Sequence, residues 1–539
     1  MSSTAVARAV VDTLLARGVE HVVLAPGSRS APLAFALHAA QDRLTLHTRI
    51  DERSAAFLAL GISKTSRKHV AVVTTSGTAT ANLHPAVLEA HHAGVRLIAV
   101  TADRPAALRG TNANQTTNQV ELYGGAVDLF VDVAAGDVKG AVEAVTRALM
   151  QRGPSHLNLQ FEEPLVPPGE GFDGAQRQEH GRADASERFE ISEEASAIDW
   201  DDKPTVVVAG DDAGMRARVL AEQHGWPLFA EPSSGSRTGT HAIRAYRLLL
   251  ADPALADRIQ RVFVCGHPTL SRPITRLISR KDLEVIGVPG PLGVTDPGRV
   301  ITRTIELGQP DDRPRISSPW LEEWLARDAS VSDKLDAFLD ASDELLPHLV
   351  ARAVARALPD EGLLVVGASN PVRDLDLVVP RYRVGGRRMV IANRGLAGID
   401  GTISTAVGAA LGRPRSSRAF ALLGDVTFLH DTNGLQIGPG EQRPDLMIVV
   451  VNDDGGSIFA SLEQGAPEYA DSFEKLFGTP HGVDLSALCA AHGVPHREVT
   501  TADELEAALA TPQGGVEVVE AKVSRASRRD LDATIRGLV

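Results

Sequence analysis

Leu422-Leu423-Gly424-Asp425, followed 28 residues later by Asp453 within Val449-Val450-Val451-Asn452-Asp453-Asp454-Gly455-Gly456, is the stretch that decides the fold. Each segment is an apolar run that breaks off into acidic residues and glycine. Short apolar runs bounded by turn residues read as buried parallel strands. Their polar ends read as strand-to-loop junctions, where open parallel sheets present ligands. Two neighbouring strands ending this way would deliver two carboxylates to one point. Mg²⁺ takes a few such hard oxygens and completes its octahedron with water and phosphate oxygens, and glycine lets backbone approach a diphosphate. A lone Gly-Asp after a strand is ordinarily a turn; the pair at this spacing says more.

The same alternation of β-branched runs and Ala/Leu-rich helical stretches extends outward in three blocks. Strands are expected at 21–25, 44–49, 69–75, 96–101 and 156–161, then at 205–209, 261–265 and 284–288. The last block has them at 362–367, 388–392, 419–423, 446–451 and 515–522. Glu162–Pro204 and Gly308–Pro319 have the composition of connections, and a helical segment from Trp320 to Leu358 leads into the last block. The fold class is therefore α/β, with three consecutive doubly wound parallel-sheet domains at 1–175, 200–310 and 345–539. A chain of 539 residues exceeds what one hydrophobic core supports, which agrees with three domains.

A net charge of −14 without runs of Lys or Arg excludes nucleic acid and anionic membrane as principal partners. The apolar runs are too short to span a bilayer. The N-terminus reads as an amphipathic helix interrupted by Asp12 and Arg17 rather than a signal peptide, so a cytoplasmic location is expected. Cys265 and Cys489 have no metal-ligand spacing and read as inert buried thiols. No P-loop and no Gly-x-Ser-x-Gly elbow occurs. His84, His91 and His92 on one helical stretch read as structural or surface residues.

The Gly-Asp and Asn-Asp pair resembles the binding motif of thiamine-diphosphate (ThDP) enzymes, with Asp453 where that pattern has a second Asn. The resemblance implies Mg²⁺, with Mn²⁺ as a substitute, held by Asp425, Asp453 and the carbonyl of Gly455. It also implies that Glu52, at the strand-to-helix junction Asp51-Glu52-Arg53-Ser54, is the catalytic glutamate that activates the cofactor's aminopyrimidine. Such a carboxyl beside an aromatic ring has a raised pKa. Further cofactor contacts implied are Gly77, Ile399, Gly424, Ile458 and Phe459. The cofactor would bridge the first domain of one subunit and the last domain of another, which requires self-association to at least a dimer.

Four strings narrow the family: Ala25-Pro26-Gly27-Ser28-Arg29-Ser30, Thr101-Ala102-Asp103-Arg104-Pro105, Asn114-Gln115-Thr116-Thr117-Asn118-Gln119, and Asn393 to Gly401. Together they resemble the 2-succinyl-5-enolpyruvyl-6-hydroxy-3-cyclohexene-1-carboxylate (SEPHCHC) synthases of menaquinone biosynthesis. These decarboxylate 2-oxoglutarate and add the succinyl carbanion to isochorismate. Both substrates are dicarboxylates, and arginine suits them because its planar fork binds carboxylate in bidentate fashion. The resemblance implies Ser28, Arg29, Arg104, Asn114 and Gln115 on the isochorismate side, Ser369, Arg373 and Arg394 at the succinyl carboxylate or the acceptor, and Leu462 packing with Ile458 and Phe459. Ser271 and Arg272 are weaker candidates in the middle block. An acetohydroxyacid synthase-like enzyme using pyruvate and FAD is the alternative; Ala209-Gly210-Asp211-Asp212-Ala213-Gly214 does not fit a Gly-x-Gly-x-x-Gly site for FAD. A non-catalytic protein on this scaffold would lack Glu52 or a metal ligand, and both are present.

Overall fold

The computed structural model describes residues 1–167, 202–290, 293–307, 316–379 and 381–539. Its first sheet contains β1 (His21–Leu24), β2 (Thr45–Thr48), β3 (Val70–Thr74), β4 (Leu97–Asp103), β5 (Leu129–Val133) and β6 (Ser155–Gln160), in the order β2-β1-β3-β4-β6-β5. The second contains β7 (Thr205–Ala209), β8 (Leu228–Ala230), β9 (Arg261–Cys265), β10 (Glu284–Val288) and β11 (Arg303–Thr304), in the order β11-β10-β9-β7-β8. The third contains β12 (Leu363–Val366), β13 (Met389–Ile391), β14 (Ala419–Gly424), β15 (Leu446–Asn452), β16 (His496–Val499) and β17 (Val516–Lys522), in the order β13-β12-β14-β15-β17-β16. The strand pairs are parallel, and the central strands β3, β4 and β15 are buried at every position, because helices cover both faces. The expected α/β architecture with three parallel sheets is thus present.

The strands that periodicity does not reveal are β5, β8, β11 and β16, and each lies at a sheet edge. An edge strand is covered less and can be short and polar, as the sequences Leu-Phe-Val-Asp-Val and His-Arg-Glu-Val illustrate. The expected connections at 162–204 and 308–319 lie largely outside the described residues, as do the expected domain limits 175, 200 and 310.

The chain forms two compact units. One comprises Met1–Arg188, Asp400–Pro414 and His430–Pro444; the other comprises Phe189–Ile399, Arg415–Leu429 and Asp445–Val539. In the first, the helix Glu52–Ser66 packs on the helix Thr402–Gly412 at glycine contacts. A Cβ on Gly61 would lie 2.2 Å from the Thr405 carbonyl oxygen, and one on Gly408 would lie 2.1 Å from that of Leu58. In the second unit, the second and third sheets share one apolar core that includes Val206, Phe229, Trp324, Leu364, Phe420 and Val449. A buried ion pair joins its blocks, with Arg237 reaching Asp376 at 2.6 Å, and another lies within the third block, where Arg528 forks onto Asp374 at 2.6 and 3.0 Å. Once such charges are buried, losing one partner leaves the other unpaired at high cost. Both cysteines are free and buried, and burial pushes the Cys265 thiol up to about 12. No described helix is long and apolar enough to cross a membrane.

Candidate active site

Strand order 2-1-3-4 reverses direction between β1 and β3, so a crevice opens beyond their carboxyl ends. Candidates in the first unit gather there. After β1 the turn is packed so closely that a Cβ on Gly27 would come 2.3 Å from the Thr75 Cβ. Ser28 is exposed and Arg29 half-buried. Arg29 donates from Nη1 to the Phe161 carbonyl at 2.9 Å, while its Nε is buried without a partner. Arg104, just past β4, is buried and donates to the Gln115 carbonyl at 2.6 Å and to the Ser76 hydroxyl. Burial and the positive charge of Arg29 lower the Arg104 pKa. Two close guanidiniums, one with an orphaned N–H, suit an anion. Gly77 caps the helix Thr78–Ala81 at φ +80°, a conformation that glycine adopts without strain. Gln115 donates to the Ser76 carbonyl at 2.9 Å, whereas Asn114 is exposed on the same loop.

Glu52 is the first residue of its helix, half-buried, and its carboxylate accepts from Asn82 at 3.2 Å. Asp51 caps the helix by accepting from the Ser54 N–H at 3.1 Å. The 430–433 segment of the same unit fixes this helix start. Asn433 donates to Asp51 at 2.7 Å, Arg53 to the His430 carbonyl at 2.7 Å, and Ser54 to Asp431 at 3.4 Å. Burial pushes the Asp431 carboxyl up to about 6, although it accepts from the Ser404 N–H.

The third sheet ends in the acidic pair. Asp425 and Asp453 follow the adjacent strands β14 and β15. Asp425 Oδ1 accepts from the Val426 N–H at 2.7 Å, and its Oδ2 accepts from the Gly455 N–H at 2.9 Å. Burial and the Asp425 charge push Asp453 up to about 7. A divalent cation between them would relieve that repulsion, and hard oxygens are the donors Mg²⁺ prefers. Among the described residues no three His, Cys, Asp or Glu side chains converge as a self-sufficient metal site. Backbone and ligand oxygens would therefore have to complete the shell. Gly424 leaves open space where a Cβ would stand. At Gly455, φ is +145° and a Cβ would meet the Gly478 carbonyl oxygen at 2.1 Å, so glycine is required. Asn452 is already engaged with Glu520 at 2.6 Å and the Asp454 N–H at 3.0 Å.

The remaining candidates of the second unit follow β9, β12, β13 and β15. Ser369 sits at φ +74° before the helix Asn370–Val378, and its carbonyl accepts from Arg373 at 2.6 Å. Burial, then the charges of Arg394 and Arg247, lower Arg373 to about 10. Arg394 is buried, is tied to the Thr269 hydroxyl at 2.9 Å, and keeps an unpartnered Nε. These two arginines therefore share a cationic patch with capacity for an anion. Ile399, Ile458, Phe459 and Leu462 are half-buried, the last three in and just after the 3₁₀ turn Ser457–Ser461. Ser271 keeps a buried hydroxyl without a partner, whereas Arg272 is exposed and paired with Glu463 at 2.6 Å.

Residues 4–122 match the N-terminal TPP binding domain of the thiamine pyrophosphate enzymes, and residues 376–521 match their C-terminal TPP binding domain. Along its whole length the chain is 57% identical to a 2-succinyl-5-enolpyruvyl-6-hydroxy-3-cyclohexene-1-carboxylate synthase of Nocardioides sp., covering 98% of that protein. Synthases of the same name from Paenarthrobacter aurescens and Thermobifida fusca are 45% and 43% identical, each over 100% of this chain and over 97% and 99% of their own. The chain belongs to the SEPHCHC synthase family. Benzoylformate decarboxylase from Polynucleobacter necessarius shares the fold, with a TM-score of 0.67 at 20% identity over 97% of this chain and 99% of the other.

Sequence reasoning did not single out three features of this synthase-family chain. The first is Asp431, which organises the start of the Glu52 helix. The second is His481, whose Nδ1 accepts from the Val483 N–H at 3.0 Å. The ring proton is thereby placed on Nε2, which donates to Asp425 at 3.1 Å. The third is a polar cluster beneath Arg104 and the 109–119 loop. None has a spacing rule that links it to its partner; the only signal for His481 is the Gly478-Thr-Pro-His-Gly turn.

Proposed function

We propose that the protein transfers the succinyl group of 2-oxoglutarate, with loss of CO₂, to isochorismate, giving SEPHCHC in menaquinone biosynthesis. The observation that carries this reading is full-length identity of 57% to a synthase of that name. The two arginine patches add chemical support, since both substrates bring two carboxylates. When bound, thiamine diphosphate supplies the nucleophilic carbon that takes up the keto group and stabilises the charge left by CO₂.

The residues divide the rest of the work. Glu52 exchanges a proton with the aminopyrimidine, held in place by the capped start of its helix. Asp425, Asp453 and the Gly455 carbonyl would hold Mg²⁺ or Mn²⁺, which anchors the diphosphate; Gly424 leaves room for it. Gly77, Ile399, Ile458 and Phe459 border the cofactor. Arg373 and Arg394, with Ser369, take the succinyl carboxylate. Ser28, Arg29, Arg104, Asn114 and Gln115 orient isochorismate, and Leu462 excludes water from the reacting carbons. Pre-organised guanidiniums make the addition fast by positioning both acids and by stabilising negative charge. In this reading the three α/β domains are 1–175, 200–310 and 345–539. The protein works in the cytoplasm as a homodimer or homotetramer that combines the pyrimidine half-site of one subunit with the diphosphate half-site of another.

Purified protein with ThDP, Mg²⁺, 2-oxoglutarate and isochorismate tests the reaction, read by mass detection of the adduct. Adduct with 2-oxoglutarate and none with pyruvate is expected. Turnover of pyruvate alone would keep the thiamine chemistry and overturn the donor assignment. Sedimentation of the holoprotein tests the oligomer: a monomer at working concentration would sink it.

A further inference from the structure

We propose that the loop Arg109–Gln119, which carries Asn114 and Gln115, is set in place for the acceptor by one buried polar cluster, and that Asn158, Arg109 and Gln119 are its positioning residues. The inference rests on the reading of Asn114 and Gln115 as acceptor contacts.

The loop has little structure of its own. It is largely exposed, and Gly110, Asn112 and Gln115 all have left-handed φ, of +74°, +59° and +54°. Within it, the Thr116 N–H bonds to the Ala113 carbonyl at 3.2 Å. A segment so poor in regular hydrogen bonds takes its position from its anchors.

Those anchors converge. Asp103 ends β4, Asp132 lies in β5, and Asn158 and Gln160 lie in β6, and the register pairs Asp103 with Gln160 and Asp132 with Asn158. Asn158 donates to Asp103 at 3.0 Å and to Asp132 at 2.8 Å. Its carbonyl oxygen accepts from Thr101 at 2.9 Å and from Gln119 at 2.8 Å. Both donors and both lone pairs of this amide are therefore used. At the start of the loop, Arg109 donates to Asp103 at 2.8 and 3.2 Å and to Asp132 at 2.8 Å through two nitrogens. At its end, Gln119 uses its Nε2 on Asn158 and accepts the Gly77 N–H on its Oε1 at 3.0 Å. The same cluster holds the approach to the loop, since Asp103 accepts from the Arg104 N–H at 2.7 Å and Gln160 from the Ala106 N–H at 2.9 Å.

Burial opposes the charge on Asp132, but Arg109 and Asn158 win and hold its carboxyl below the usual range. The cluster is thus a charged, fully satisfied staple, not a chance surface pairing. It ties both loop ends, Arg104 and Gly77 to a single point, so that a shift at Gln119 is passed to the two exposed side chains between the staples.

The test uses the holoenzyme and compares Gln119→Leu, Gln119→Glu, Arg109→Lys and, as a direct control, Gln115→Ala. Gln119→Leu should raise the KM for isochorismate about tenfold, the scale of a lost hydrogen bond to a satisfied network. The KM for 2-oxoglutarate and kcat should stay within about twofold. Amide exchange in 110–118 should quicken while β3 and β4 stay protected. Arg109→Lys, which keeps the charge but not the fork, should fall between wild type and Gln119→Leu. Gln119→Glu, placing a carboxylate against Asn158, should be at least as damaging as the leucine. Equal changes in both KM values and kcat, or unchanged acceptor KM with Gln115→Ala still impaired, would overturn the staple. If Gln115→Ala itself leaves the acceptor KM unmoved, the assignment of the loop to the acceptor fails instead.

Discussion

The first and third sheets have one strand order and opposite chemistry at the ends of their central strands. β1, β3 and β4 stand in the same relation as β12, β14 and β15. In the first sheet the central strands end in Thr75-Ser76-Gly77 and Asp103-Arg104, with Arg29 beyond β1. In the third they end in Gly424-Asp425 and Asn452-Asp453. The difference lies at the central strands: a guanidinium stands beyond β4, whereas β14 and β15 end in carboxylates; beyond β1 and β12 both sheets carry an arginine, Arg29 and Arg373. Topology therefore decides where a ligand meets the backbone, and a handful of side chains at those points decides its charge. One backbone form occurs in both sheets, though at junctions that do not correspond: Gly77 after β3 and Ser369 after β12 precede their helices at nearly the same dihedrals, φ +80° and +74°, ψ −136° and −137°. At Ser369 the conformation is strained for a side chain, as functional turns often are.

Glu52 is where the comparison breaks most sharply: its helix follows the edge strand β2, while the helix Thr402–Gly412, which follows the corresponding edge strand β13, has no acid in its first turn. Glu52→Gln keeps the shape and the contact with Asn82 but removes the transferable proton. Activity should fall roughly 10²–10⁴-fold, the usual contribution of a positioned acid–base group. Binding of ThDP, followed by quenching of protein fluorescence, should weaken far less. Loss of both together would make Glu52 a structural residue.

Next in size is the arginine patch of the third sheet. Arg373→Leu should raise the KM for 2-oxoglutarate about 10–100-fold, the range for a lost charge-assisted hydrogen bond. Arg104→Leu should act instead on isochorismate. If either variant moves both KM values equally, the two sheets do not divide the substrates.

How much of this was legible beforehand follows the same contrast. The central strands announce themselves, because runs such as Val70–Thr74 and Leu446–Asn452 are buried on both faces and must be apolar throughout. Edge strands β5, β8, β11 and β16 are short or polar and leave no such trace. Asp425 and Asp453 were readable because a strand followed by an acid is a local pattern. His481 is 56 residues from Asp425, and Asn158 is 39 from Gln119, so what joins them is a three-dimensional contact with no period in the sequence. Asn452, the neighbour of Asp453 in the motif, is bound to Glu520 on β17 and to the Asp454 N–H of its own loop.

His481 sharpens the comparison on the acidic side. With Nδ1 occupied by the Val483 N–H, its Nε2–H joins the Gly455 N–H in holding Asp425 Oδ2, while Oδ1 accepts from the Val426 N–H and has a second lone pair that a cation could use. His481→Phe should weaken Mn²⁺ binding in the presence of ThDP about tenfold, at the low end for lost support of a metal ligand. Mn²⁺ resonance reads this without turnover. His481→Gln, which can restore an N–H, should recover part of the loss. Unchanged Mn²⁺ affinity in the phenylalanine variant would remove the residue from the site.

The smallest effect on activity, and the finest test of the comparison, concerns Glu231 in the second sheet. It directly follows β8, so it is another acid at a strand end, yet it is fully buried and accepts from the Leu270 N–H at 2.9 Å. Burial pushes its pKa up to about 8, with Asp376 and Asp211 adding to the effect and the Leu270 N–H and Arg394 opposing it. The folded state therefore holds a proton that the unfolded chain releases near the ordinary glutamate value. Between those two values the folded state binds more protons, so stability must fall as pH rises, and the loss is complete above about 8. Glu231→Gln keeps an oxygen for the Leu270 N–H and abolishes the titration. Its thermal midpoint, scanned at one rate, should match wild type near pH 5 and exceed it by several degrees near pH 9, a gap of a few kcal/mol at most. Parallel curves across that range would mean that Glu231 is ionised in the fold. An acid at a strand end would then be compatible with burial as a charge, and a bound cation would no longer be needed to account for Asp425 at the end of β14.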